Sequence, residues 1–219
     1  MTTALERIER TTQALKIFPL PSAVLFPHAA LPLHIFEPRY RDLVRDALAG
    51  DKVMALAQLE PGWEGQYGER PPLQPMLCAG LIIWHEELPD GRYNILLQGV
   101  ARARLLAELP SDKLYREVRV QVLPDSDYQG PEEERLRQAV FELAGRVPAS
   151  FAENLLPVVA RSRGGALADV VAAAVVPEPE RRQVLLCELD VRARLKAVLD
   201  DVGELIARLS PVKPVGPLN

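Results

Sequence analysis

The prevailing hydrophobic period of this chain changes close to residue 125, and that change limits the fold more than any motif does. From Leu15 to about Asp125 the apolar residues come in short or alternating runs: "LKIFPL", "KVMALAQL", "MLCAGLIIWHEEL", "RYNILLQGVARARLLAEL" and "REVRVQVL". Pro and Gly separate them. Alternation turns one side of each run toward a core, which is the pattern of strands. After Gln129 the apolar residues recur at helical spacing as far as Leu209. The expectation is an α+β chain: a β-rich domain over residues 1–125, a helical bundle over 126–210 and a loose tail over 211–219.

Within the first part, "LPDGRY" supplies turn chemistry between two long strands and predicts a hairpin. Gly80 and Gly99 interrupt those strands, where bulges are expected. Short antiparallel strands with frequent turns suggest a compact, partly closed barrel. One helix interrupts them: Pro38 suits a first turn, Tyr40, Leu43, Val44, Ala47 and Leu48 share a face, and Gly50 ends it. In the second part, "PEEERLRQAVFELAGR" carries acids in its first turn, as the helix dipole favours. Ser150 with Glu153 predicts a capping box, and Pro157 a kink or an end. "ALADVVAAAVV" is apolar nearly all round and should be the most buried helix. The last helix starts at Asp190, with Leu195, Leu199, Val202, Ile206 and Leu209 forming a seam expected to pack inside the chain.

Composition excludes several function classes. Hydrophobic residues at 48% and charged ones at 26% suit a chain with a real core. No run approaches the ~18 apolar residues that cross a bilayer, and "MTTALERIERTTQ" lacks the apolar stretch of a signal peptide. A cytoplasmic protein with no membrane partner is expected. The net charge of −4 is spread evenly, so neither half has the basic character of a dominant nucleic-acid footprint. Cys78 and Cys187 sit among apolar residues and are expected to be buried free thiols.

No constellation specifies catalysis, a cofactor or a metal. His28, His34 and His85 lack ligands at close recurring spacing, with Glu37 the nearest acid to His34. No G-x-x-x-x-G-K-[ST] occurs. Gly164-Gly165 before a helix could offer N–H groups to an anion or form a plain turn, the turn being preferred. Ser210 and Lys213 match S-x-x-K, but Pro211 and Pro214 break the helix that signature needs. Ser22 has no base placed beside it. The stretch "LPLHIFEPRYRDLV" reads first as strand, loop and helix start. It also offers binding chemistry: Phe36 and Tyr40 as apolar anchors beside Glu37, Arg39 and Arg41.

The order of these pieces resembles the N-terminal substrate-binding domain of Lon proteases. Lys16, Pro19, Leu20, Val24, Leu25, Phe26, Pro27, Pro32 and Leu33 match its opening, and Gly80, Gly99 and Arg102 its hairpin. Gln183, Leu185, Leu186, Asp190, Val191, Arg194 and Leu195 match its helical part. The resemblance implies a PUA-like pseudobarrel followed by a helical bundle. It does not transfer the ATPase or protease modules, whose motifs are missing. The function it implies is a free-standing, non-catalytic module that binds unfolded polypeptide or a partner protein. The alternative is RNA binding by a PUA-like fold, with Arg102 and Arg104 on one strand face and Arg116 and Arg119 nearby.

Overall fold

The computed structural model describes residues 2–66 and 70–210. In chain order the elements are α1 (Ala4–Thr11), β1 (Leu15–Leu20), β2 (Ala30–Ile35), α2 (Pro38–Leu48), β3 (Val53–Gln58), a 3-10 turn (Trp63–Gln66), β4 (Met76–Glu87), β5 (Tyr93–Glu108) and β6 (Arg116–Leu123). Five helices follow: α3 (Pro131–Ala144), α4 (Ala149–Arg161), α5 (Gly164–Val175), α6 (Pro179–Cys187) and α7 (Val191–Leu209). The change of period near residue 125 is therefore the change from sheet to helices. Residues 211–219, the expected tail, lie outside the described residues. Among those described, no helix is long and apolar enough to cross a membrane.

Strand pairing closes a ring. β1 pairs parallel with β3, and β3–β4, β4–β5, β5–β6 and β6–β1 are antiparallel. The inward residues are Leu15, Ile17, Val53, Ala55, Leu77, Ala79, Ala103, Val118 and Val120, all buried in one cluster. Alternating alanines fit the narrow interior of so small a barrel. Ile8 of α1 joins the same cluster. That helix was missed in the sequence, although Thr3 and Glu6 form the reciprocal capping box that announces it.

β2 lies outside the ring and pairs with the first half of β5, so β2, β5 and β4 form a three-stranded extension. The segment leading into β2 crosses the ladder at the two glycines. A Cβ at Gly99 would lie 2.0 Å from the Phe26 carbonyl oxygen, and one at Gly80 2.5 Å from that of Gln98. The register shifts between Ala79 and Gly80, as the interrupted pattern predicts. His28 N–H donates to Gly99 O and Gly99 N–H to Ala29 O, so residues of odd number in β2 turn their backbone groups toward β5. Pro32 then faces the open edge, where its missing N–H breaks no ladder bond.

A second buried cluster runs outside the ring and unites both halves of the chain. It includes Phe18 and Tyr40, Leu43 and Val44 of α2, Met54, Leu56 and Cys78 on the outer wall, and Leu136, Val140, Leu167, Val171, Leu195 and Val202 of the helices. Pro stands in the first turn of α2, α3 and α6, where its lack of an N–H is harmless.

Three sequence expectations need correction. α4 begins at Ala149 after Pro148, which leaves Ser150 inside the helix with no cap to make. Of the two outcomes expected at Pro157, a kink or an end, the end does not occur, since α4 runs on to Arg161. The buried stripe of α7 is Val191, Leu195, Val198 and Val202, while Leu199 and Ile206 are half-buried and Leu209 exposed. The straight heptad reading drifted off the helix's own 3.6-residue period. Gly99→Ala tests the crossing: the new methyl meets fixed backbone, so overpacking should cost at least about 1–3 kcal/mol in urea unfolding.

Candidate functional site

The longest strand, β5, carries a buried arginine on its outer face. Arg102 pairs across the ladder with Cys78 and is 1% exposed. Its Nη1 and Nη2 donate to the two carboxylate oxygens of Asp169 on α5, at 2.8 and 2.6 Å. Its Nε donates to Leu186 O on α6 at 3.0 Å. Arg194 of α7, also fully buried, donates to Glu188 O at 2.7 Å and to Asp125, and its Nε lies 3.2 Å from Asp169. Asp125 is 3.5 Å from Arg102 as well. Two guanidiniums and two carboxylates therefore balance. Burial works against the Arg102 charge, but the Asp169 carboxylate outweighs it and raises the pKa above its ordinary value.

This cluster occupies what the sequence left open at Gly164-Gly165. A Cβ at Gly165 would lie 1.8 Å from a carboxylate oxygen of Asp125. The anion beside this helix start is thus a side chain of the chain itself. The cluster also removes the basis for an RNA-binding face. Arg102 is buried and paired, and Arg116 is held by Glu108 and Pro71 O. Arg104 and Arg119 remain exposed, without the other two beside them.

The residues proposed from sequence separate. Phe36 is 61% exposed just beyond β2, with its ring 6.3 Å from that of His34. Glu37 takes the N-cap position of α2 without capping it, and its carboxylate is 2.8 Å from Arg39. Tyr40 is no exposed anchor. It is 5% exposed, packs on Phe18 at 4.3 Å between ring centroids, and has the Arg39 guanidinium 4.6 Å above it. Arg41 is half-buried against the β4–β5 turn, where its guanidinium fills the space a side chain at Gly91 would need. Sequence spacing put Phe36 and Tyr40 together, but the strand-to-helix corner turns them apart. His34 faces Asn94 at 2.8 Å and Arg92 at 3.2 Å, not Glu37. Among the described residues no group of three His, Cys, Asp or Glu could hold a metal.

What the sequence missed lies on the outer side of the β2–β5–β4 extension. Cross-strand pairing puts Pro32, Leu96 and Trp84 in one row and His34, Asn94 and Glu86 in the next. The polar row is tied by His34 to Asn94 and by Asn94 Nδ2 donating to Glu86 at 3.0 Å. Trp84 is 52% exposed, and Ile83 beside it sits at a register shift and is also exposed. Pro32, Leu96 and Trp84, apolar where the solvent face of a one-sided sheet should be polar, were the available signal.

The thiols differ. Cys78 is buried, and desolvation pushes its pKa up to about 12. Cys187, expected to be buried, ends α6 with its side to solvent. Its pKa is also raised by partial burial.

Comparison with known proteins gives this geometry a family. The profile of the ATP-dependent protease La (LON) substrate-binding domain matches residues 14–202, so the chain belongs to that family. It is 29% identical over 200 residues to Lon protease 2 of Myxococcus xanthus, covering 88% of this chain and 24% of that protein. Against the Lon protease of Roseiflexus castenholzii it is 31% identical over 197 residues, covering 85% and 23%. The chain thus spans about a quarter of the curated relatives it matches. The crystal structure of a Lon N-terminal domain protein from Xanthomonas campestris aligns with a TM-score of 0.65 at 25% identity, covering 86% of this chain and 98% of that one. The N-terminal domain of a Mycobacterium avium complex Lon protease shares the fold, with a TM-score of 0.68 at 16% identity and coverage of 88% and 99%.

Three outcomes test the site. Asp169→Ala should cost about 3–5 kcal/mol, because it strands buried guanidinium charge. Asp90→Ala, which breaks an exposed pair with Arg92, should leave the urea unfolding midpoint close to that of the wild type. Iodoacetamide under native conditions should alkylate Cys187 alone, with Cys78 reacting only after unfolding, as peptide mass spectrometry would report.

Proposed function

We propose that this chain is a non-catalytic module that binds polypeptide in non-native or extended form. The observation that carries the reading is the solvent-facing side of the β2–β5–β4 extension. Trp84, Ile83, Leu96 and Pro32 form an apolar strip there, and Phe36 stands beyond the polar row on the same sheet face. Such a strip edged by hydrogen-bonding side chains suits apolar residues that a folded partner would hide. Its residues lie on β4 and β5 of the ring and on β2 paired to β5, so little ordering cost attends binding. Glu37, Arg39 and Arg41 border the Phe36 end, with Tyr40 supporting Arg39 from beneath. The family relationship points the same way, since its profile is that of a substrate-binding domain. The halves 1–125 and 126–210 act as one unit in this reading, because the ion cluster and the shared core join them.

Binding is expected to a labelled, carboxymethylated unfolded protein, followed by fluorescence anisotropy. Trp84→Ser and Phe36→Ser should each weaken it by about tenfold, the size of an interface anchor's loss. Far-UV circular dichroism should stay unchanged, since both side chains are exposed. Tight, steeply salt-dependent RNA binding without affinity for unfolded protein would overturn the reading. So would ATP hydrolysis or proteolysis that depends on a residue of this chain.

A further inference from the structure

A second concave surface lies where the chain after β3 meets α6. Leu59, Pro61 and Trp63 give it an apolar wall, and Val184 of α6, 57% exposed, faces them. Glu64 and Glu180 line it and are exposed. Among the described residues neither carboxylate takes part in an ion pair, and no Lys or Arg lines the groove.

Two buried carboxamides complete the lining. Gln58 and Gln183 are each 6% exposed. Gln58 donates its Nε2 to Pro21 O at 3.3 Å, and Gln183 donates its Nε2 to Met76 O at 2.8 Å. The second bond fixes which end of the Gln183 amide is oxygen. That Oε1 is buried and has no hydrogen-bond partner among the described residues. A buried acceptor without a donor is costly, and a small turn of the Gln183 side chain toward the groove would let a ligand N–H satisfy it. Cys187 also lines the groove, with its pKa raised by partial burial, and has no base placed beside it among the lining residues. The groove is furnished for recognition.

We propose that this groove binds an extended, basic segment of polypeptide. A lysine or arginine of the segment lies between Glu64 and Glu180. A neighbouring apolar side chain packs on Trp63 and Val184, and a main-chain N–H donates to Gln183 Oε1. Anionic chains are repelled by the same two carboxylates, which gives the groove a charge preference that the Trp84 face lacks. The inference rests on the polypeptide-binding reading above and adds a second site with its own selectivity.

The probe is a short, labelled Gly/Ser-based peptide carrying lysine and leucine, followed by anisotropy on the whole chain. Three comparisons accompany it: the same peptide with glutamate for lysine, an N-methylated version, and the protein variant Glu64→Gln/Glu180→Gln. The basic peptide should bind. The glutamate peptide should bind at least about tenfold more weakly, and the double variant should lose a similar factor with its thermal midpoint unchanged. N-methylation should weaken binding in the wild type while leaving the charge preference intact. Equal affinity for basic and acidic peptides would overturn the proposal. So would binding that survives Glu64→Gln/Glu180→Gln but is lost in Trp84→Ser, an outcome that leaves the Trp84 face as the polypeptide site. Absence of binding by every peptide and by unfolded protein would instead sink the polypeptide reading itself, and the groove with it.

Discussion

The bidentate bond from Arg102 to Asp169 is the constraint on which the rest of the structure depends. A guanidinium on the outer wall of the ring must be neutralised once helices cover it, and Asp169 of α5 does so. That fixes α5 over β5 to within a hydrogen bond's tolerance. Leu186 O then sets α6, Asp125 sets the chain leaving β6, and Arg194 draws in α7. Apolar packing alone would permit neighbouring arrangements of sheet and helices at similar energy. A buried ion pair adds little net stability over an apolar substitute, but it heavily penalises any arrangement that separates its charges. Burial of apolar side chains is the general source of stability, and the cluster makes any arrangement that separates its charges costly.

β5 transmits that choice to the surface. Its second half carries Arg102 and pairs with β6, while its first half pairs with β2 and carries Asn94 and Leu96 outward. The exposed face and the buried cluster are thus parts of one continuous strand. The groove lined by Gln183 has a related origin, because Gln183 spans from α6 to Met76 at the start of β4. Both candidate surfaces inherit their shape from contacts between sheet and helices rather than from loops.

Local physics made much of this legible. The hairpin at Pro89-Asp90-Gly91, the start of α2 at Pro38 and the breaks at Gly80 and Gly99 each follow from residues close in sequence. α1 was also announced locally, by Thr3 and Glu6, but a single buried side chain, Ile8, gives its apolar face little weight in a pattern search. The ion cluster was not legible. Arg102, Asp125, Asp169 and Arg194 come from four separate segments, and each alone reads as an ordinary surface charge. The resemblance to Lon domains flagged Arg102, Arg194 and Gln183 without giving their roles. Tyr40 misled for the converse reason: an aromatic in the first turn of an amphipathic helix faces wherever the preceding strand leaves room, and Phe18 set that direction.

Pro32 on the open edge of β2 has a bearing on how a guest chain can be read. A sheet edge with a full row of donors and acceptors captures any extended strand by its backbone and then continues to grow, copy upon copy. Here the row is interrupted at its middle, so the edge cannot serve as a template. In the proposed reading, contact with a guest would fall to side chains on the face, which impose no register. A guest held as proposed would keep its own strand direction, and Pro32 works against its addition to the sheet as one more strand.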